Sequence, residues 1–314
     1  MSAPTLNDIE AAAARVKDKV RRTPFLRARF LLDPPAPNEI LLKLECLQVT
    51  GSFKPRGASN ALLSLNPEET ARGVITASGG NHGLAVSYAA RAAGTRAVIY
   101  LPETTAPEKV RKIAAWGAEV VVEGEVWDDA QEAALKRAEI DGLTYVHPFA
   151  DPRVIAGQGT VGLEMLKQSG HCETFVVAIG GGGLISGVAT AIKAKKPQAR
   201  VIGVEPVGAP TLKESLAAGR AITLPRIDST AVTLAPRRST ELNLEIIREN
   251  VDDIVLVDDE EMREAARWLW FEMGIAAELS GAAALAALRA GRISLDPEES
   301  VGLVICGAGR DGLD

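Results

Sequence analysis

The sequence predicts an α/β protein with two open, mainly parallel, twisted sheets flanked by helices. Three observations point there. Short apolar runs rich in Val and Ile alternate with helical segments of about ten to fifteen residues, the pattern of βαβ units. Glycine-rich turns follow several of these runs, at the strand ends where open parallel sheets bind ligands. At 314 residues the chain also exceeds the length of one ordinary domain, leaving room for one large domain or two intimate ones.

Taken in order, Leu6, Ile9, Ala13, Val16 and Val20 recur at helical spacing, and Thr23-Pro24 closes that helix. A strand is expected near 40–44, then a turn carrying a single lysine, then a helix over 57–65. The period then switches repeatedly: strand 74–76, helix 83–93, strand 97–101, helix 107–116 with Pro107 in its first turn, strand 119–122, helix 128–140. A second series begins after His147-Pro148, with helix 154–168, strand 174–179, helix 184–194, strand 201–204 and helix 211–218. Residues 221–242 show little periodicity and hold Pro225, Pro236 and Arg237-Arg238, so they read as a long irregular connection over the site. Strand 254–257, helices 259–273 and 281–288 and strand 301–306 complete the series.

Composition narrows the function. A net charge of −6 spread along the chain, with few aromatics and no basic stripe, argues against a nucleic-acid surface. Cys46, Cys172 and Cys306 are an odd, widely spaced set without a CxxC pair, the usage of reduced thiols in a cytoplasmic protein. The first residues lead into a mixed-charge amphipathic helix and not a secretory signal. The longest uncharged run, 174–192, is interrupted by four consecutive glycines, so it reads as strand–loop–helix and not as a membrane span. A soluble protein is expected.

Four stretches carry chemistry. In Ser52-Phe53-Lys54-Pro55-Arg56-Gly57-Ala58, a lysine desolvated by the neighbouring ring loses ammonium character and becomes a nucleophilic amine able to form a Schiff base; a solvated loop lysine is the plain alternative. Gly180-Gly181-Gly182-Gly183-Leu184 joins a strand to a helix, where free N–H groups and the helix dipole favour a phosphate. It lacks both GxGxxG spacing and the GK[ST] of a nucleotide loop, and a flexible turn would look similar. Ser78-Gly79-Gly80-Asn81-His82-Gly83 offers side-chain and backbone donors to a carboxylate, or else an ordinary capped helix. Cys306-Gly307-Ala308-Gly309 closes the last strand, its cysteine either a small buried hydrophobe or a group facing a ligand.

Together with Ile155-Ala156-Gly157-Gln158-Gly159-Thr160, these stretches resemble the fold-type II pyridoxal-phosphate enzymes, tryptophan synthase β-like in fold, and specifically the threonine/serine dehydratase and serine racemase group. The similarity runs from Thr23-Pro24 to Gly312. It implies a large cofactor-binding domain of residues 1–72 and 149–314, a small substrate-loop domain of 73–148, and an active site between them. It further implies that Lys54 carries pyridoxal 5'-phosphate, that Phe53 packs beside its ring, and that Asn81 bonds its 3-hydroxyl. Gly180, Gly181, Gly182, Gly183 and Leu184 would hold the phosphate, and Cys306 would face the pyridine nitrogen. Ser78, Gly79, Gly80, Asn81 and His82 would take the substrate carboxylate.

Proline after the lysine looks like the dehydratase branch. Gly79 stands where racemases carry a serine, which sets racemisation against this chain. A divalent cation such as magnesium would use Glu205 and the carbonyl of Ala209, but Thr211 replaces the expected aspartate. The stretch from Thr230 to Pro236, with Trp127, Arg237 and Arg238, points to a substrate larger or more polar than serine, such as hydroxyaspartate, phenylserine or a hydroxyectoine-derived amino acid. The expected reaction removes water from a β-hydroxy-α-amino acid to give a 2-oxo acid and ammonia. A racemase with side dehydratase activity and a non-catalytic cofactor-binding protein are the alternatives. A homodimer is expected, with no nucleic-acid or membrane partner.

Overall fold

Local sequence sets most of the elements. The computed structural model describes residues 2–313. Helix α1 (Leu6–Val16) starts in a capping box, Thr5 accepting from the Asp8 N–H and Asp8 from that of Thr5. The edge strand β1 (Phe25–Arg27) and its neighbour β2 (Ile40–Lys43) follow, and two single 3₁₀ turns, Glu45–Leu47 and Val49–Gly51, lead into α2 (Lys54–Leu62). Then come α3 (Pro67–Arg72), β3 (Val74–Ala77), α4 (Asn81–Ala93), β4 (Ala97–Leu101), α5 (Pro107–Ala115), β5 (Glu119–Val122), α6 (Trp127–Asp141) and β6 (Thr144–Tyr145). The chain continues through α7 (Pro152–Gln168), β7 (Thr174–Ala178), α8 (Gly183–Lys195), β8 (Arg200–Pro206), α9 (Thr211–Ala218), α10 (Glu241–Asn250), β9 (Asp253–Val257), α11 (Asp259–Met273), α12 (Leu279–Arg289) and β10 (Val301–Val304).

The strands form a six-stranded sheet in the order β1-β2-β10-β7-β8-β9 and a four-stranded sheet in the order β5-β4-β3-β6. All pairs are parallel except β1 with β2. This is the expected α/β architecture. The central strands β7 and β10 are buried along their whole length, as strands covered on both faces must be. The main core lies around this larger sheet.

Helix α7 sets the spacing of α2 and α8, and so of the lysine turn and the glycine loop that precede them. A Cβ at Gly157 would lie 2.5 Å from the Arg56 carbonyl oxygen, and one at Gly159 2.9 Å from that of Gly187, so the glycines let α2 and α8 approach α7 to backbone contact. The Lys54 helix and the glycine-loop helix are thereby held on one ridge. Beneath α2 lies a buried charge network. Arg56 makes paired bonds to Glu45 (2.7 and 2.8 Å) and to Glu164 (2.8 and 2.9 Å), and Glu164 also accepts from Lys43 at 2.6 Å. Arg56 and Lys43 have no exposed surface, so each depends on its partners.

Four elements were absent from the sequence reading: β1, α3, β6 and α10. The first three are two to six residues long, too short for a periodic signal. The irregular connection ends at Thr240, whose hydroxyl caps α10. Helix α1 stops at Val16, short of the expected Val20, and α2 begins at Lys54 itself, since Pro55 is tolerated in a first turn.

Candidate active site

The lysine sits at the first residue of α2, at the end of a constrained turn. Thr50 (φ 64°) and Gly51 (φ 87°) take left-handed conformations there, which for threonine is a strained position. Ser52 bridges to Gly307, and the Phe53 N–H donates to the Cys306 carbonyl at 3.1 Å, pinning the turn to the end of β10. Lys54 Nζ donates to the Pro148 carbonyl at 2.9 Å and lies 5.1 Å from the Phe53 ring centroid. Burial pushes its pKa down to about 8, against the opposing pull of Cys306 and Glu278. The hydroxyls of Thr50 and Ser52 are buried without a partner. The solvated-lysine alternative is not what the fold builds.

Two helix N-termini meet this site without side-chain caps. Helices α1, α3, α7, α10 and α11 each start at a capping side chain, whereas α4 begins after Gly80 and α8 after Gly182 with none. The capped-helix alternative for Ser78–Gly83 is thus absent; Ser78 Oγ accepts instead from the Gly80 N–H at 3.3 Å. Among the described residues, no acceptor takes the N–H groups of Gly180 to Leu184. Such an open, positive helix end suits a phosphate. Gly182 needs its glycine for φ 92°, and a Cβ at Gly181 would lie 2.3 Å from the Phe149 ring.

The segment His147-Pro148-Phe149, between β6 and α7, reads in the sequence only as the point where the second series begins. Pro148 receives Lys54, Phe149 packs on the glycine loop, and the Phe149 carbonyl accepts from Asn243 at 3.1 Å. His82 Nε2 contacts the Val146 carbonyl at 3.0 Å, while its Nδ1 is buried without a partner. Burial first, and the Lys54 charge second, push His82 down to about 3 and His147 to about 4, so both rings are neutral.

On the other side, Asn81 Nδ2 donates to Glu278 Oε1 at 2.9 Å, and Ser280 Oγ donates to the same oxygen at 2.5 Å. Burial pushes the Glu278 carboxyl up to about 7, these hydrogen bonds opposing it. Glu278 was missed, although a lone carboxylate between Ile275-Ala276-Ala277 and an alanine-rich helix is a visible oddity. Cys306 Sγ donates to the Ser280 carbonyl at 3.3 Å; burial, and then the Glu278 charge, push the thiol far above its ordinary range, so it stays neutral. These groups fit pyridoxal phosphate: an amine of lowered basicity, unfilled N–H groups at a helix start, buried unpartnered hydroxyls and a neutral thiol.

Other expected positions lie elsewhere or are occupied. Both Glu205 oxygens accept backbone N–H groups at the start of α9, from Leu212 at 2.8 Å and Lys213 at 2.9 Å, and the Thr211 hydroxyl donates to the Pro236 carbonyl at 2.8 Å. Among the described residues, no cluster of three or more His, Cys, Asp or Glu side chains has metal-binding geometry. Trp127 Nε1 donates to the Ala77 carbonyl at 2.9 Å, at the root of the Ser78–Gly83 loop. Arg237 and Arg238 are both exposed, and Arg237 donates to the carbonyls of Leu224 and Pro225.

A family model described as "Pyridoxal-phosphate dependent enzyme" matches residues 16–307. The L-threonine ammonia-lyase of Thermotoga maritima is 42% identical over 284 residues, covering 90% of this chain and 71% of that protein. Among solved structures, maize serine racemase superposes with a TM-score of 0.93 at 34% identity, covering 98% of this chain and 94% of that one. The processed form of threonine deaminase isoform 2 from Solanum lycopersicum superposes with a TM-score of 0.91 at 35% identity, covering 98% of this chain and 87% of that one.

Proposed function

The chain belongs to the pyridoxal-phosphate dependent enzymes, and from that premise we propose that it is an ammonia-lyase acting on a β-hydroxy-α-amino acid of the threonine–serine kind. The products are a 2-oxo acid and ammonia. One observation carries this reading: the amine of Lys54, its basicity lowered by burial, linked through Pro148-Phe149 to an uncapped glycine loop and facing Glu278 and Cys306.

When bound, pyridoxal phosphate supplies the conjugated ring that stabilises negative charge developing at the substrate Cα. In this proposal Lys54 holds the cofactor, Phe53 packs beside it, and the N–H groups of Gly180 to Leu184 bind its phosphate. Asn81 donates to its 3-hydroxyl. The open start of α4, from Ser78 to His82, binds the substrate carboxylate and so orients the Cα–H toward the lysine side. Lys54 Nζ, its pKa lowered to about 8 so that the neutral amine is accessible, takes the Cα proton in that form. Cys306 Sγ keeps its own proton and places no anion beside the ring nitrogen, which favours elimination over longer-lived carbanion chemistry. Buried His82 and half-buried His147, both held neutral, add no charge to the site.

The division into residues 1–72 with 149–314 and 73–148 belongs to the same proposal, and the four-stranded sheet, contained within 74–145, supports it. So does a homodimer in the cytoplasm: Phe30, Leu32, Trp270 and Phe271 are exposed on neighbouring segments joined by Glu272, which accepts from the Leu32 and Asp33 N–H groups, and all three cysteines are unpaired. No helix among the described residues is long and apolar enough to cross a membrane. For Glu205 we propose a capping role for α9; a divalent cation at Glu205, Ala209 and Thr211 has to displace the Leu212 and Lys213 N–H groups. With Arg237 engaged by backbone carbonyls, the case for a second substrate carboxylate loses its best donor.

Serine, threonine, 3-hydroxyaspartate and phenylserine, assayed together for 2-oxo acid and ammonia, test the reading. Threonine or serine should lead. Inversion of serine without 2-oxo acid would instead favour the racemase reading that the maize structure's likeness raises. No turnover of any of the four by cofactor-loaded protein rejects the proposal.

A further inference from the structure

Glu278 is the N-cap residue of α12 yet its side chain makes no capping bond. It turns instead toward the substrate loop, and the fold is shaped to admit it. A Cβ at Gly307 would lie 2.2 Å from Glu278 Oε1, and one at Gly309 would lie 2.7 Å from Glu278 Cβ, so the glycines after Cys306 are the space this carboxylate occupies. Its backbone is fixed too: the Glu278 N–H donates to the Gly307 carbonyl at 3.1 Å, and Ala277 bridges Ala308. Ser280 Oγ and Asn81 Nδ2 both donate to Oε1.

We propose that Glu278 is a positioning residue that sets which way the Asn81 amide faces the cofactor and locks the substrate loop onto the end of β10. An Asn amide can present either its oxygen or its nitrogen to a neighbour. A carboxylate oxygen already holding a serine hydroxyl accepts only the nitrogen. One Asn81 N–H is thereby committed to Glu278, and the second is left in a fixed direction as a donor. Asn81 is the first residue of α4, so the same bond anchors the helix whose open N-terminus takes the substrate carboxylate. Glu278 is half-buried, and the Asn81 and Ser280 donors converge on the one oxygen that the glycines after Cys306 admit.

The Asn81 part rests on the functional reading above; the contact does not. The test is a double-mutant cycle of Glu278→Gln and Asn81→Ala, read in three ways. In the cofactor-loaded enzyme, Glu278→Gln should lower kcat/KM by about ten- to a hundredfold, the scale of a misplaced positioning group. In the Asn81→Ala background the same change should cost less than about twofold, because the amide it orients is gone. Glu278→Gln should also shift the cofactor absorption band, and Glu278→Asp, which keeps the charge but shortens the reach, should recover part of kcat/KM. Urea unfolding of the four cofactor-free proteins should show the two sites coupled. Additive losses in kcat/KM with an unmoved band overturn the positioning role. Additive unfolding overturns the contact itself. Coupled unfolding in a protein that shows neither cofactor band nor turnover would instead reject the functional reading and leave the contact standing.

Discussion

Gly79→Ser asks why this chain should eliminate and not invert. Inversion at Cα needs a proton donor on the face opposite Lys54, and Gly79 offers none. A Cβ built at Gly79 lies 2.7 Å from Thr105 Oγ1 and 2.9 Å from Thr105 Cγ2, against 3.4 Å for ordinary contact. Thr105 is short and branched and sits in a turn closed by its N–H to the Pro102 carbonyl, so the loop must move by several tenths of an ångström. Overpacking of this kind costs about 1–3 kcal/mol, a melting temperature lower by a few degrees. Thr105→Ala in the same chain removes both close atoms and should restore most of that loss.

The assay follows L-serine or L-threonine in D2O, with chiral chromatography and mass spectrometry of recovered substrate beside 2-oxo acid release. The unaltered protein should eliminate without accumulating the inverted enantiomer. Gly79→Ser/Thr105→Ala should keep elimination within about tenfold, roughly 1.4 kcal/mol of barrier, and produce inverted substrate. Inversion by the unaltered protein at a rate comparable to elimination refutes the reasoning. A double variant no more stable than Gly79→Ser alone refutes the Thr105 part.

Other perturbations are read from the same geometry. Arg56→Met leaves Glu45 and Glu164 buried without their main partner and should cost about 3–5 kcal/mol in urea unfolding; a loss below about 1 kcal/mol would show that the network is dispensable. Gly181→Ala drives a methyl to 2.3 Å from the Phe149 ring and should release the cofactor on dialysis, seen as loss of its absorption, while the fold persists by circular dichroism. Glu205 has a folded pKa raised to about 7 by burial, against 4.5 for the free group. Its stabilising contribution is therefore fully present below about pH 4.5 and gone by about pH 7, at most about 3 kcal/mol, and Glu205→Gln should flatten that slope. If magnesium protects the protein from unfolding and Glu205→Gln abolishes the protection, the capping role gives way to a cation site.

Sequence made the alternating architecture legible because β7 and β10 are continuous apolar runs and the helices between them are long. It lost β1 and β6, where two or three residues carry no period, and α10, hidden behind the irregular stretch it terminates. The site was legible where function is written in contiguous residues: the lysine turn, the glycine loop and the loop after β3. It was illegible where contacts are long-range. Asn81 and Glu278 are 197 residues apart, and Lys54 meets Pro148 across 94. Trp127 and Arg237 carry contacts of the same long-range kind. Their residue types suggested a substrate wall and an anion clamp, while the fold uses both to hold backbone carbonyls.

The central claim is that Lys54 is the amine that holds pyridoxal phosphate. Borohydride reduction of the loaded protein, followed by peptide mapping, tests it most directly. The account predicts a single pyridoxyl label on the peptide containing Lys54, absent in a folded Lys54→Ala variant that also lacks turnover. A label on any other lysine, or full turnover by Lys54→Ala, would contradict it.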